Sequence, residues 1–379
     1  MGLHSGKLDY AWHGHGSGRG NDRREPSPRL CRKPGSSGYL IVAAFVLIIA
    51  ALPLTAQTIR IASYNVEMHR KGPGLMLRDI LRGDPQAQSV AQVIADVSPD
   101  ILVLQGVDYD AELHGIKALR DQISKAGSHF PHIFARAPNT GVRTGFDMNN
   151  NGRFSEPEDA QGFGWFFGQR GMAVLSRWPI ADHDAQDFST LLWRDIPMAH
   201  LPHMDGKPFP SEDAQPIQRL SSVGHWVVPI QHSSGTDITL MAFSATPPVF
   251  DGIEDRNGLR NQDEILLWQN MLEGRIGRLP DSHFLIVGTA NLDPVKGQGR
   301  HTAIRTVLSH QSIRDPLPTS RTHGTDTVDW DDPYPGDMRV DYVLPSRDWT
   351  LKGSGVYWPN PQGDEAPASR HKPVWVDIS

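Results

Sequence analysis

Between Ile59 and Ile378 the chain switches repeatedly from short apolar, β-branched runs to helix-type periodicity and back, and this limits its fold more than any other feature. Strand-type runs occupy Ile59–Tyr64, Ile101–Gln105, His132–Ala135, Gly171–Ser176, Ser222–Ile230, Asp237–Phe243, Phe284–Gly288, Val340–Leu344 and Pro373–Asp377. Each is short, and polar or turn-forming residues bound it. Asp84-Pro85 is an N-cap followed by proline at the first helical position, and Val90, Val93, Ile94 and Val97 follow at helical spacing until Pro99. Asp108 to Lys125 predicts a second helix closed by Gly127. Ile265, Trp268, Met271, Leu272 and Ile276 mark one face of a third over Leu259–Gly277. Strands and helices mixed in this way pack as sheets covered by helices. The segments 137–170 and 181–221 are long loops, of a length that usually carries function or is loosely ordered.

Ahead of this body, a Gly-, His- and Arg-rich stretch leads into Tyr39–Leu54, an almost unbroken apolar run followed by Thr55-Ala56-Gln57. A basic flank, an apolar centre and small residues at its end form a secretory signal pattern. The run is shorter than the roughly 20 residues of a comfortable membrane span. The expected organisation is a basic segment at 1–38, a signal peptide or membrane anchor at 39–57, and one domain over 58–379. That places the domain in a secreted, periplasmic or cell-surface setting, with membrane contact only through 39–54 if the segment is uncleaved. The single cysteine, Cys31, precedes the apolar run, so the body has neither a disulfide nor a thiolate metal site. Residues 1–38 carry seven Lys/Arg against three acids, leaving the body more acidic than the whole-chain charge of -6. Strong non-specific binding to nucleic acid is not expected of such a surface, because phosphate neutralisation needs clustered Lys and Arg.

The strand ends carry more specific information. Ile61-Ala62-Ser63-Tyr64-Asn65-Val66, Asp100-Ile101-Leu102-Val103-Leu104-Gln105 and Gly171-Met172-Ala173-Val174-Leu175-Ser176-Arg177 are followed by Gly288 to Pro294, Arg339-Val340-Asp341-Tyr342 and Arg370-His371-Lys372-Pro373. In that order they resemble the endonuclease/exonuclease/phosphatase superfamily, over nearly the whole body. Thr246 to Glu264, and Gly141 to Gly171, resemble a secreted bacterial branch of it. The resemblance implies a four-layer α/β/β/α sandwich of two mixed β-sheets flanked by helices, with the active site at one end of the sheets. It also implies phosphoester hydrolysis with a divalent metal, usually magnesium. Such a cation takes oxygen ligands, chiefly carboxylates, and helps deprotonate water.

Asn65, Asn291, Asp341 and His371 fall where the family's functional Asn, Asn, Asp and His lie. Other positions depart from the pattern. Gly106 stands for the metal-binding Glu, Thr289 for the Asp of Gly-Asp-x-Asn, Arg370 for the Asp beside the terminal His, Ser244 for a His and Arg170 for a Tyr. Val227 is a further candidate lost carboxylate. An arginine about 4 Å from a divalent ion is repelled by about 8 kcal/mol at an effective dielectric of 20. The catalytic Mg²⁺ is therefore expected to bind weakly or not at all, and His371 to lack an orienting carboxylate. Restoring acids at 106, 289 and 370 and a His at 244 should recover activity. The plainer readings are that Asn65 and Asn291 satisfy strand-end backbone groups, that Asp341 pairs with Arg339 or a neighbour, and that His371 is a hydrogen-bonded pocket residue.

Asp147 to Glu158 matches the twelve-residue calcium-loop pattern, with Asp147, Asn149, Asn151 and Glu158 at ligand positions and Gly152 at the turn. A structural Ca²⁺ site and a polar turn that binds nothing both remain open. The leading functional expectation is a scaffold that has lost, or nearly lost, phosphoester hydrolysis and binds a phosphate-containing ligand through Arg170 and Arg370. The alternatives are an active metal-dependent nuclease or phosphatase with ligands relocated to Asp251, Glu254, Asp255 or His225, and a surface interaction protein.

Overall fold

Strand alternation divides the apolar side chains among separate cores, and this division makes the layers. The structure is a computed structural model that describes residues 57–359 and 368–379. The expected basic segment 1–38, the apolar run Tyr39–Leu54 and Cys31 lie outside the described residues. Among those described, no helix is long and apolar enough to cross a membrane. The strands are β1 (Ile59–Asn65), β2 (Ile101–Val107), β3 (His132–Phe134), β4 (Gly171–Ser176), β5 (Gln186–Asp187), β6 (His203–Met204), β7 (Lys207–Pro208), β8 (Gly224–Ile230), β9 (Ile238–Ser244), β10 (Phe284–Thr289), β11 (Asp341–Pro345), β12 (Leu351–Val356) and β13 (Val374–Ile378). The helices are α1 (Leu75–Leu81), α2 (Pro85–Val97), α3 (His114–Ala126), α4 (Arg256–Leu272) and α5 (Thr302–Leu308).

One sheet runs β12-β13-β1-β2-β4-β3, the other β11-β10-β9-β8-β5, and β6 and β7 form a separate small hairpin. In each large sheet a single adjacent pair is parallel, β1 with β2 and β9 with β10. Ile61, Ile101, Val103 and Val174 face Trp226, Leu240, Leu285 and Val343 in the core between the sheets. The alternate residues of the first sheet, Ala62, Tyr64, Leu102 and Leu104, pack outward on Val90 and Ile94 of α2 and on Ile116 and Leu119 of α3. Those of the second, Met241, Phe243, Ile286 and Tyr342, pack on Ile265 and Trp268 of α4 and Ile304 of α5. The result is the four-layer α/β/β/α order that the resemblance implies.

Helix α2 begins as its cap demands, with the Asp84 side chain accepting from the Ala87 N–H at 2.9 Å. Helix α3 starts at His114 rather than Asp108, because the Asp108 carboxylate is spent on the backbone N–H groups of Arg70 and Arg170 and Leu113 turns through φ 55. Helix α4 stops at Leu272, short of Gly277, where Gly274 turns the backbone at φ 70.

Candidate functional site

The parallel pairs β1/β2 and β9/β10 end at the same edge of the sandwich, and β11 and β13 begin there. Residues at these ends line one cavity of about 520 Å³, among them Asn65, Gly106, Ser244, Asn291, Arg370 and His371. Arg170, which directly precedes β4, lies on the same wall. The sequence therefore brings together Asn65, Asn291, His371, Arg170 and Arg370 as expected. Asp341 and Thr289 lie directly behind, buried at the junction of β10 and β11.

Thr289 Oγ1 donates to Asp341 Oδ1 at 2.6 Å, Thr327 Oγ1 donates to Oδ2 at 3.0 Å, and His371 Nδ1 lies 2.8 Å from Oδ2. The expectation that His371 lacks an orienting carboxylate is thus corrected: the 371 ring is held by Asp341 from the neighbouring sheet. An ionised carboxylate only accepts, so His371 Nδ1 carries the proton and Nε2 is left for the cavity. Asp341 does not pair with Arg339, whose guanidinium instead makes a two-point bridge to Asp315. Asn65 Oδ1 accepts from the Glu67 N–H at 3.3 Å, and Asn291 Nδ2 donates to the Ala245 carbonyl at 2.9 Å. Both asparagines thus satisfy strand-end backbone, as their plainer reading has it, while also facing the cavity.

Glu67 is the residue that sequence reasoning missed. It follows the end of β1 in a left-handed turn at φ 47 and lines the cavity. Its carboxylate accepts from Arg370 Nε at 3.1 Å, from Arg370 Nη2, from the Arg370 N–H at 2.9 Å and from Ser369 Oγ at 3.1 Å. Burial alone would raise the Glu67 carboxyl, but the Arg370 hydrogen bonds, His371 nearby and the Arg370 charge bring it down to about 2. Arg370 is therefore not a bare cation: Glu67 pairs with it. The signal available in the sequence was an acid two residues after the strand-end Asn65.

Arg170 is different. Its Nη2 lies 3.0 Å from His69 Nε2, and its guanidinium stands 5.9 Å from the ring centre of Phe163. Arginine is always a donor, so His69 Nε2 accepts. Burial, followed by the charge of Arg170, brings His69 down to about 4, so the imidazole is neutral. Asp108, beneath this corner, accepts from the Arg70 and Arg170 N–H groups at 2.8 and 3.1 Å, and burial raises it to about 6. No carboxylate lies within salt-bridge distance of Arg170 among the described residues.

Gly106 interrupts the pairing of β2 with β4 at a bulge between Gln105 and Val107, and its φ is 72. A Cβ there would stand 2.5 Å from Asn65 Oδ1 and 3.0 Å from the Glu67 nitrogen. A glutamate cannot take this position while the backbone keeps its shape, so an acid at 106 is not a simple restoration. Among the described residues, no three His, Cys, Asp or Glu side chains converge as a metal-holding group. Of the groups such a cation would use, Glu67 holds an arginine, Asp341 accepts from three donors and Gly106 carries no side chain.

The proposed relocated ligands lie elsewhere. His225 is fully buried between Ser221 Oγ and the Glu264 carbonyl, and burial pushes its imidazole down to about 3. Asp251 accepts the Asn257 N–H, Glu254 accepts the Gly252 N–H and Asp255 bridges to Arg300 at 2.7 Å, all around the start of α4 and away from the cavity wall. Val227 is buried under α4. In the Asp147–Glu158 loop, Asp147 accepts the Gly152 and Asn151 N–H groups at 2.7 and 3.2 Å, Asn149 Oδ1 also accepts from Asn151, and Asn151 Oδ1 accepts from Arg153. Arg256 donates to the Met148 carbonyl, tying the loop to α4.

Comparison with known proteins follows the same outline. A solved endonuclease/exonuclease/phosphatase from Beutenbergia cavernae DSM 12333 matches with a TM-score of 0.52 at 16% identity, over 85% of this chain and 71% of that one. A family protein from Leptotrichia buccalis C-1013-b matches with a TM-score of 0.47 at 17% identity, over 85% and 99%. A mutant beta toxin from Staphylococcus aureus with bound magnesium ions matches with a TM-score of 0.48 at 13% identity, over 84% and 99%. At such identities the likeness concerns the fold. No match is found among curated proteins. The family profile covers residues 62–371, from the first strand to the terminal histidine of the cavity. The chain belongs to the endonuclease/exonuclease/phosphatase family.

Proposed function

We propose that this protein is an exported member of the family that keeps the fold and the cavity but hydrolyses phosphoesters poorly or not at all, and that its cavity binds a phosphate-containing ligand. The observation that carries the reading is the Glu67–Arg370 ion pair. Glu67, the lining carboxylate that follows Asn65, is already neutralised by a side chain of the same chain. A divalent ion would have to displace a tethered guanidinium and two further donors. Gly106, fixed in its bulge, offers no replacement ligand. Arg170, which has no carboxylate at salt-bridge distance although the charges of Glu67 and Asp108 reach it, supplies the remaining attraction for an anion.

The test is hydrolysis by the unaltered protein. With magnesium or manganese present, plasmid DNA and a chromogenic phosphodiester should stay intact to the level of buffer. Chelator-sensitive cleavage well above that level would overturn the reading. Export is supported by the apolar run at Tyr39–Leu54 and its basic flank, and is tested by whether the domain crosses the membrane when expressed with residues 1–57.

The Asp147–Glu158 loop is proposed as a structural calcium site. Its spacing, the Gly152 turn at φ 80 and the curled Asp147 and Asn149 side chains support it. Millimolar calcium should raise the unfolding temperature relative to chelator, and coincident unfolding curves would remove the proposal.

A further inference from the structure

We infer that the cavity's ligand is a monomeric amphiphile, an anionic head joined to an apolar body, with the head on Arg170 and the body against the aromatic and proline wall. This rests on the anion-binding reading above and deepens it.

Two independent features define the two halves of such a molecule. The first is charge. Of the carboxylates that line the cavity, Glu67 is spent on Arg370 and Asp293 on the Val295, Lys296 and Arg339 N–H groups, while Asp331 is exposed and its charge acts on Arg370; Asp108, outside the lining, is spent on two backbone N–H groups. Arg370 is spent in the same exchange, which leaves the Arg170 guanidinium without a carboxylate partner. Arg170 is also held in a left-handed backbone conformation at φ 57, with its N–H anchored to Asp108 and its side chain braced by His69 and the face of Phe163. That is a positioned cation.

The second feature is the wall. Phe163, Pro247, Pro248, Phe250, Trp330 and Met338 line the same cavity. Phe250 is 90% exposed although it lines the cavity, and nearby in sequence Ile253 is 93% exposed. A site for a free inorganic anion would surround it with donors, as anion sites do. Here the polar groups, Arg170 with Arg370, His371, Asn65 and Asn291, share a cavity of about 520 Å³ with the aromatic and proline wall, a size that suits a single small molecule.

The probe is octylphosphonate, which carries no ester bond and so reports binding whatever becomes of turnover. Calorimetry compares it with inorganic phosphate and with neutral octyl glucoside, all below micelle-forming concentrations. The expected order is octylphosphonate tighter than either control by about tenfold or more, an affinity difference of about 1.4 kcal/mol. Arg170→Met should bring octylphosphonate to the level of the glucoside, and Arg170→Lys should recover part of the loss. Phe163→Ala with Phe250→Ala should bring it towards inorganic phosphate. Inorganic phosphate binding as tightly as octylphosphonate would sink the amphiphile while sparing the anion site. Octylphosphonate failing to bind, or binding equally well to a folded Arg170→Met protein, would sink both. The absence or presence of hydrolysis is a separate result, read with the phosphodiester above.

Discussion

Replacing Arg370 with aspartate removes the bidentate partner of Glu67 while keeping the backbone N–H that also serves it. Two carboxylates then face each other beside Asn65, and their repulsion should lower the unfolding temperature in chelator. Manganese should restore that temperature and give a measurable binding isotherm, steeper than that of the unaltered protein. A folded Arg370→Asp protein with no manganese affinity would show that the pair is not what keeps metal out. Gly106→Ala tests the other obstacle. At φ 72, with its Cβ against Asn65, the variant should lose about 1–3 kcal/mol in urea unfolding, and no loss would mean that the bulge relaxes freely. The resemblance of the strand-end motifs to the family's pointed to Asn65, Asn291, Asp341 and His371, and the structure sets Asn65, Asn291 and His371 on the cavity with Asp341 behind it. Glu67 was not legible as part of the site. Its partner lies 303 residues away, and only closure of the sheet brings the two together.

At the scale of elements, α4 acts as a polar staple beneath the cavity. Glu264 accepts from the Ser222 N–H and Oγ and from the Thr246 N–H, while Asn261 donates to the Thr246 and Ala290 carbonyls. Ser222 and Thr246 line the cavity, so one helix fixes the ends of strands that the wall is made from. Glu264→Ala leaves these buried donors without a partner and should cost about 3 kcal/mol or more in urea unfolding, with loosened ligand binding at the cavity. A variant as stable as the parent would mean that water replaces the carboxylate. Periodicity exposed the apolar face of α4 through Ile265, Trp268 and Met271, but it cannot reveal a buried polar face whose partners are backbone groups. Strand β12 escaped notice for a related reason. Its Gly353 and Gly355 dilute the β signal, yet a Cβ at Gly355 would stand 2.7 Å from the Trp375 ring, so the glycine makes room for the indole.

For the whole molecule, pH couples several buried groups to stability. His225 and His69 are depressed to about 3 and about 4, below the unfolded value of 6.5. Their contribution is complete above pH 6.5 and is lost as acid protonates the unfolded chain first. Asp108, raised to about 6, acts oppositely: its contribution is complete below the unfolded value of 3.8 and is lost as the pH rises through about 6. The two imidazoles pull stability down between pH 7 and 5, while the raised carboxyls of Asp108 and Glu264 oppose them. His225→Gln should flatten that fall by about 1.4 kcal/mol per pH unit, and an unchanged slope would show that the imidazole is already protonated when folded. The same closed architecture sets an order of events during synthesis. Strand β13 lies between β12 and β1, so one flank of β1 has no companion until more than three hundred further residues have left the ribosome. Until then that flank is a naked template for mispairing, and a nascent chain of this kind gains from a chaperone that keeps it apart from its neighbours.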